Sequence, residues 1–146
     1  MSTSSSPQRG LRTTIQLDLN DIQELFSNPK PVLPVQEGYI NVFASASAQY
    51  VFKDDIFTNV DNVLGFYQKP AGGGPPVLVS NSINALAFMG LEQNGSLNFI
   101  AANPYSPSME YMINAPVVFQ IDGGDPVGGN ALSTILIVVT YDLYLA

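Results

Sequence analysis

The side chains that most often perform chemistry at neutral pH are scarce in this sequence of 146 residues. It contains no histidine, cysteine or tryptophan, and only five lysines and arginines. Histidine titrates near neutral pH, cysteine provides thiolate nucleophiles and zinc ligands, and arginine binds phosphate. The composition therefore predicts a structural or binding protein that is not an enzyme and that uses no metal or other cofactor.

Carboxylates are the reactive groups in good supply, with 12 aspartates and glutamates. A glycosidase needs two carboxylates about 5 to 10 Å apart, and the densest acidic stretch contains Asp54, Asp55 and Asp61. Adjacent residues of a strand point to opposite faces, so Asp54 and Asp55 would not act together. We interpret this stretch as solvated loop charge.

Glycine-rich segments give two further candidate sites. The segment 122–130, Asp-Gly-Gly-Asp-Pro-Val-Gly-Gly-Asn, could offer oxygen ligands to calcium, but its spacing differs from that of an EF-hand. Its residue types are also those that a long turn requires, and we favour the turn. Neither Gly72–Gly74 nor Gly123–Gly124 has the residues of a phosphate-binding loop.

Aromatic side chains could line a carbohydrate-binding surface, although core packing or subunit contact is their commoner use in such a domain. The candidates are Tyr105, Tyr111, Tyr141 and Tyr144.

The charge balance limits the partners. The net charge is −7, and charged residues make up 12% of the chain, where a soluble domain has about 25%. An acidic chain is repelled by nucleic acid and by acidic membranes. The start, Met1–Arg12, has no apolar region of the secretory type, and the run Ile135–Val139 is far shorter than the roughly 20 residues of a membrane helix. We expect a soluble protein with part of its surface covered by partner proteins.

The first third of the chain predicts an arm, a strand, a helix and a second strand. Residues 1–12 are rich in serine and are expected to form an extended arm, followed by a single domain over residues 13–146. Alternation predicts a strand at Thr13–Leu19. A short helix is expected within residues 20–27, capped by Asn20. Alternation over Gly38–Phe52 predicts a long strand with a bend or bulge near Ala44–Ala48.

Further short strands are predicted between the turns that follow. Their ranges are 62–69, 77–79, 83–89, 97–100, 111–113 and 116–121. The last strand, Ala131–Leu145, is apolar on both faces, which indicates a central strand or a subunit contact. Leu136 and Val138 are expected to be buried in it. The residues predicted to mediate assembly are Arg9, Arg12, Ile135, Ile137, Val139 and Tyr141.

Many short strands separated by turn residues, with one helical segment, predict an all-β fold. The architecture expected is an antiparallel β-sandwich, similar to a jelly roll, with one short helix near residues 20–27.

The two ends of the chain resemble small β-sandwich proteins encoded among the virion genes of tailed bacteriophages. The resemblance lies in Ile15-x-Leu17, Ile22-x-x-Leu25, Pro29, Val32-Leu33-Pro34-Val35-x-x-Gly38, Asn114–Phe119, Asp125-Pro126, Gly128-Gly129-Asn130 and Tyr141. It implies a non-enzymatic virion protein that contacts other virion proteins as a homotrimer. The role expected is capsid decoration, and the alternatives are a head or tail appendage subunit and a receptor- or glycan-binding module.

Overall fold

Strands form most of the regular structure in the part of the chain that the computed structural model describes, residues 8–70, 73, 75–102 and 114–145. In chain order the elements there are β1 (Gln8–Leu17), α1 (Leu19–Gln23), β2 (Pro31–Leu33), β3 (Tyr39–Val51), β4 (Phe57–Thr58), β5 (Val63–Gln68), β6 (Val77–Leu78), β7 (Ile83–Asn84), α2 (Leu86–Met89), β8 (Gly95–Ile100), β9 (Val117–Ile121), β10 (Val127–Gly128) and β11 (Thr134–Leu145).

Antiparallel pairing arranges these strands in two sheets and a short ribbon. Sheet A has the order β1-β11-β3-β8, and sheet B has the order β2-β9-β5-β6, with β7 also paired to β5. The ribbon joins β10 to β4. The long strands β3 and β11 are neighbours in the middle of sheet A. The prediction of an all-β antiparallel sandwich is confirmed.

Phenylalanines from both sheets meet in the core. The ring of Phe66, from sheet B, lies 4.9 Å from that of Phe43 and 5.1 Å from that of Phe99, both from sheet A. Phe119, also from sheet B, lies 4.9 Å from Phe66. Such aromatic pairs each contribute about 0.5–1.5 kcal/mol beyond the burial of their area. This cluster therefore holds the two sheets face to face.

The predicted bulge in the long strand is present. The pairing of β3 with β11 shifts between Ser45 and Phe43, which leaves Ala44 as the extra residue. A one-residue insertion moves every residue beyond it to the opposite face. Phe43 is consequently buried in the core, while Val42 is only partly buried. The single uninterrupted face expected from the alternation therefore changes sides at Ala44.

The helices differ from the prediction in two respects. The cap of α1 is Asp18 and not Asn20, because the Asp18 carboxylate accepts a hydrogen bond from the Asp21 amide at 2.9 Å. This hydrogen bond is the main reason why the pKa of Asp18 is lowered. The second difference is α2, which occupies most of the stretch 83–89 that was predicted as a strand. Only Ile83 and Asn84 of that stretch pair with β5.

The boundary between arm and domain was also placed too late. β1 begins at Gln8, and Leu11 and Arg12 pair with Tyr141 and Thr140 of β11. Residues 8–12 therefore belong to sheet A. The rest of the predicted arm, residues 1–7, and the predicted strand at 111–113 lie outside the described residues.

Candidate functional site

The outer face of sheet A is a regular array of side chains that point away from the core. Residues directly opposite each other in adjacent strands present their side chains on the same side, so the register defines the face. We call it the sheet A face. It consists of four rows, namely Thr134 and Val51; Gln16, Leu136, Gln49 and Ser96; Thr14, Val138, Ser47 and Asn98; and Arg12, Thr140, Ser45 and Ile100. The next row on the same side, Asp142 and Val42, borders the sheet A face beyond Thr140 and carries one carboxylate.

The sheet A face carries almost no charge. Arg12, at a corner of the array, is the single charged residue among its fourteen positions. Nine positions are uncharged and polar, and four are apolar. Ile100 is the most exposed apolar member, with 66% of its surface accessible. A shallow depression of about 520 Å³ lies over the row that contains Val138 and the row that contains Ile100.

Carboxylates are concentrated at one end of the sandwich, where β1 and β3 end and β11 begins. We call it the acidic end. Nine carboxylates and two lysines lie in the segments at this end, a net charge of −7. They are Asp18, Asp21, Glu24, Asp54, Asp55, Asp61, Glu92, Asp122 and Asp125, with Lys30 and Lys53. The other described charges, Arg9, Arg12, Lys69, Glu37 and Asp142, sum to +1. The charge of the described residues is thus strongly polarised along the strands.

The apolar residues predicted to mediate assembly lie on the inner face of β11. Ile135, Ile137 and Val139 have 0% exposure and belong to the core, and Tyr141 packs against the same core. The prediction that these side chains contact a partner is therefore corrected, because sheet B already covers them. Leu136 and Val138, which were expected to be buried, lie on the sheet A face and are only partly buried.

Burial of one face rather than the other is decided by the neighbours of β11. Both faces of this strand are apolar, so its own sequence does not identify the core side. Ile135 and Ile137 lie opposite Tyr50 and Ala48, which face sheet B, whereas Val138 lies opposite Ser47. The polar positions Ser45, Ser47 and Gln49 of the neighbouring strand were the available signal.

The two predicted arginines lie in the edge strand β1 and are exposed. Arg12 contributes to the sheet A face, opposite Thr140. Arg9 lies beside a β-bulge where the Gly10 amide donates to the Asp142 carboxylate at 2.9 Å. Gly10 has φ +65, a conformation that favours glycine. The structure thus brings one arginine of the predicted set onto an open surface together with Val138 and Ile100.

The glycine-rich segment 122–130 is held by hydrogen bonds to the chain itself. One oxygen of Asp125 accepts the amides of Phe26 and Ser27 at 2.9 and 2.8 Å. Burial acts to raise the pKa of Asp125, but the hydrogen bonds from Ser27 and Phe26 outweigh it and lower the pKa below its ordinary value. The Asn130 side chain accepts the Leu132 amide at 2.9 Å. These contacts are those of a turn, the interpretation favoured from the sequence.

Asp122 contacts a tyrosine rather than a second acidic group. The Tyr67 hydroxyl donates to the Asp122 carboxylate at 3.1 Å. Burial and the adjacent negative charge raise the pKa of Tyr67 to about 12. Within the described ranges, no three residues of the types that ligate metals come together in a group that could hold an ion.

The other candidates have equally local partners. Asp54 and Asp55 lie exposed in a loop where Asp54 has φ 54. Asp61 accepts a hydrogen bond from the Asn84 side chain at 2.8 Å. Among the tyrosines weighed for carbohydrate binding, Tyr144 packs against Ile40, and Tyr105 and Tyr111 lie outside the described residues.

In the part of the chain that is described, no helix is long and apolar enough to cross a membrane.

Comparison with known proteins gives a remote structural likeness and no match in sequence. No protein-family model and no curated protein matches the sequence. A solved structure similar to this chain is the capsid asymmetric unit of cyanophage Pam1, with 14% sequence identity and a TM-score of 0.39. The match covers 97% of this chain and 84% of that chain. A TM-score this low does not establish a shared fold.

Proposed function

We propose that this chain is a non-enzymatic structural subunit of a tailed-bacteriophage virion, and specifically a capsid decoration protein. The observation that supports the proposal is the sheet A face. The chain has a net charge of −7, yet the fourteen side chains of this face include a single charged group, Arg12. Interface cores are depleted of charged residues in the same way. The sequence resemblance described above indicates the virion as the setting.

The arrangement of the polar groups favours assembly over catalysis. Asp122, Asp125 and Asp61 each accept hydrogen bonds from the chain's own groups, so these carboxylates position loops. General acid or base catalysis instead requires a group aimed at an open position where a substrate can bind. The depression over Val138 and Ile100 is lined by hydroxyl, amide and aliphatic groups, together with Arg12 and the buried Phe99.

A glycan-binding tip is the competing function, and the residues of the sheet A face favour it less. Carbohydrate sites commonly combine amides with an aromatic ring on which the sugar stacks. The face contains Gln16, Gln49 and Asn98 but none of its fourteen residues is aromatic. An oligosaccharide array separates the two functions, because a decoration protein should bind no glycan on it.

The proposal is tested by counting copies in the particle. Virions of the phage that encodes this chain are purified and digested, and the chain is quantified by mass spectrometry against the major capsid protein. Hundreds of copies per particle are expected for a decoration protein. A dozen or fewer would assign the chain to a head or tail appendage, and absence from the virion would refute a structural role.

The amino terminus provides a second test, because its two halves differ. We expect removal of residues 1–7 to leave the folded domain intact while reducing incorporation into the particle, since a serine-rich segment with little apolar surface can order by docking on a neighbouring subunit. Removal of residues 1–12 also deletes the pairing of Leu11 and Arg12 with β11 and should lower the melting temperature. Normal incorporation of the shorter truncation would refute the docking role.

A further inference from the structure

The sheet A face has the properties of a contact between copies of this chain. The chain carries a net charge of −7, so two copies repel each other through most of their surfaces. The repulsion is strongest between the acidic ends. The sheet A face is the exception, because none of its fourteen residues is a carboxylate and the single carboxylate that borders it, Asp142, is offset by Arg12. Two copies can therefore approach most closely through this face.

The polarised charge also favours one orientation of such a pair. Arg9, Arg12 and Lys69 lie toward the end opposite the acidic end. With Glu37 and Asp142, which lie at the same end, these cations give a net charge of +1. When the strands of two facing copies run antiparallel, the acidic end of each, with its net charge of −7, lies beside this weakly positive end of the other. When the strands run parallel, the two acidic ends meet. Charge complementarity therefore selects the antiparallel arrangement.

We propose that two copies of this chain associate through the sheet A face, with their strands antiparallel across the contact. Val138 of β11 and Ser47 of β3 lie opposite each other on the two inner strands of sheet A, and they mark the centre of the contact. Arg12 lies at a corner of the face. In the antiparallel arrangement it stays at the rim, where its charge remains solvated.

The size of the sheet A face predicts a weak pair. Strands about 4.8 Å apart and rows about 6.8 Å apart give the face a projected area on the order of 500 Å². A specific interface buries about 800 Å² of accessible surface on each partner. The contact is therefore at the lower end of the range, and association should depend on protein concentration. The inference concerns the isolated chain, does not depend on a virion role, and differs from the trimer that the resemblance implies.

A cysteine cross-link tests the centre of the contact, because the natural chain contains no cysteine. Ser47→Cys places one thiol per copy next to Val138. Ser82→Cys is the matched control, because Ser82 is exposed and lies off the sheet A face. Under mild oxidation the Ser47→Cys chain should form a disulfide-linked dimer about tenfold faster than the control, since association raises the effective concentration of its thiol. Equal rates would overturn the proposal.

A charged substitution tests the same contact without a cross-link. Val138→Lys puts an unpaired cation at the centre of the face, and Val127→Lys makes the same change at an exposed position off it. Light scattering over a concentration series should show dimers for the unmodified chain and for Val127→Lys, and about tenfold weaker association for Val138→Lys. A monomer at all concentrations, a trimer, or equal association of the two variants would contradict the proposal. Circular dichroism confirms that each variant is folded.

Discussion

Substitution of two adjacent residues in β11 tests the assignment of its faces. Ile137 has 0% exposure and belongs to the core, whereas Val138 lies on the sheet A face and is partly exposed. We compare Ile137→Ala with Val138→Ala. The first removes a buried side chain and leaves a cavity between the sheets. The second shortens a side chain that is already in contact with solvent.

The two substitutions should differ severalfold in their effect on the free energy of unfolding. Truncation of a buried isoleucine to alanine costs about 2–5 kcal/mol. The Val138 substitution should cost under about 1 kcal/mol, from lost strand propensity and partial burial. At about 3 °C of melting temperature per kcal/mol for a chain of this size, Ile137→Ala should lower the melting temperature by roughly 6–15 °C.

Urea unfolding followed by far-ultraviolet circular dichroism measures both free energies, at concentrations low enough to avoid self-association. A Val138→Ala cost equal to or larger than that of Ile137→Ala would refute the assignment of the inner face. The aspartate pair extends the test. Ile137→Asp should give insoluble protein, because burying an unpaired carboxylate costs several kcal/mol of a total of about 5–15. Val138→Asp should remain folded.

Three further predictions concern single side chains outside β11. Asp125→Ala removes the acceptor for two backbone amides and should cost about 1–2 kcal/mol at neutral pH. Because the pKa of Asp125 is lowered on folding, this contribution should be present above the unfolded pKa and should be lost as the pH falls through the folded pKa. A cost that does not decrease as the pH is lowered into the acid range would contradict this. Gly129→Ala should destabilise the domain by about 1–3 kcal/mol, because φ is +80 and an added Cβ would collide with the Phe57 ring. An unchanged melting temperature would show that the ring moves aside. Ultraviolet titration should find Tyr67 protonated up to about pH 12. Stability should be lost as the pH rises from the unfolded tyrosine pKa toward that value. If the Tyr67→Phe variant still showed the late-titrating tyrosine, the assignment to Tyr67 would be refuted.

The short strands that the sequence predicted well are apolar runs bounded by turn residues. β5 lies within the predicted range 62–69, and β9 within 116–121. The bulge in β3 could also be predicted, because a strand of fifteen alternating residues is unusually long. The exact position of that bulge could not, since it is fixed by the pairing of Phe43 with Tyr141 and of Ser45 with Thr140.

The failures occurred where tertiary contacts override local pattern. The stretch 83–89 is short and apolar, which fits a strand or a buried helix equally well. The amides of Phe88 and Met89 donate to the Ala85 carbonyl, and both side chains are buried, so the helix is the observed form. Residues 8–12 are polar and were assigned to the arm, yet pairing with β11 makes them part of an edge strand.

The candidate site shows the same limit. The polar residues Ser45, Ser47 and Gln49 and the apolar character of β11 were visible in the sequence. Only the register of four strands, which are distant in sequence, brings Arg12, Val138 and Ile100 onto one face. The sequence therefore predicted that an uncharged surface would exist but assigned the inner residues of β11 to it.

The number of copies of this chain in purified virions tests the central claim most directly. The chain is quantified by mass spectrometry with isotope-labelled peptides, relative to the major capsid protein of the same particles. A decoration protein that covers the shell predicts hundreds of copies per particle. A dozen or fewer copies would contradict decoration and indicate an appendage, and a chain found only in the infected cell would contradict a structural role in the virion altogether.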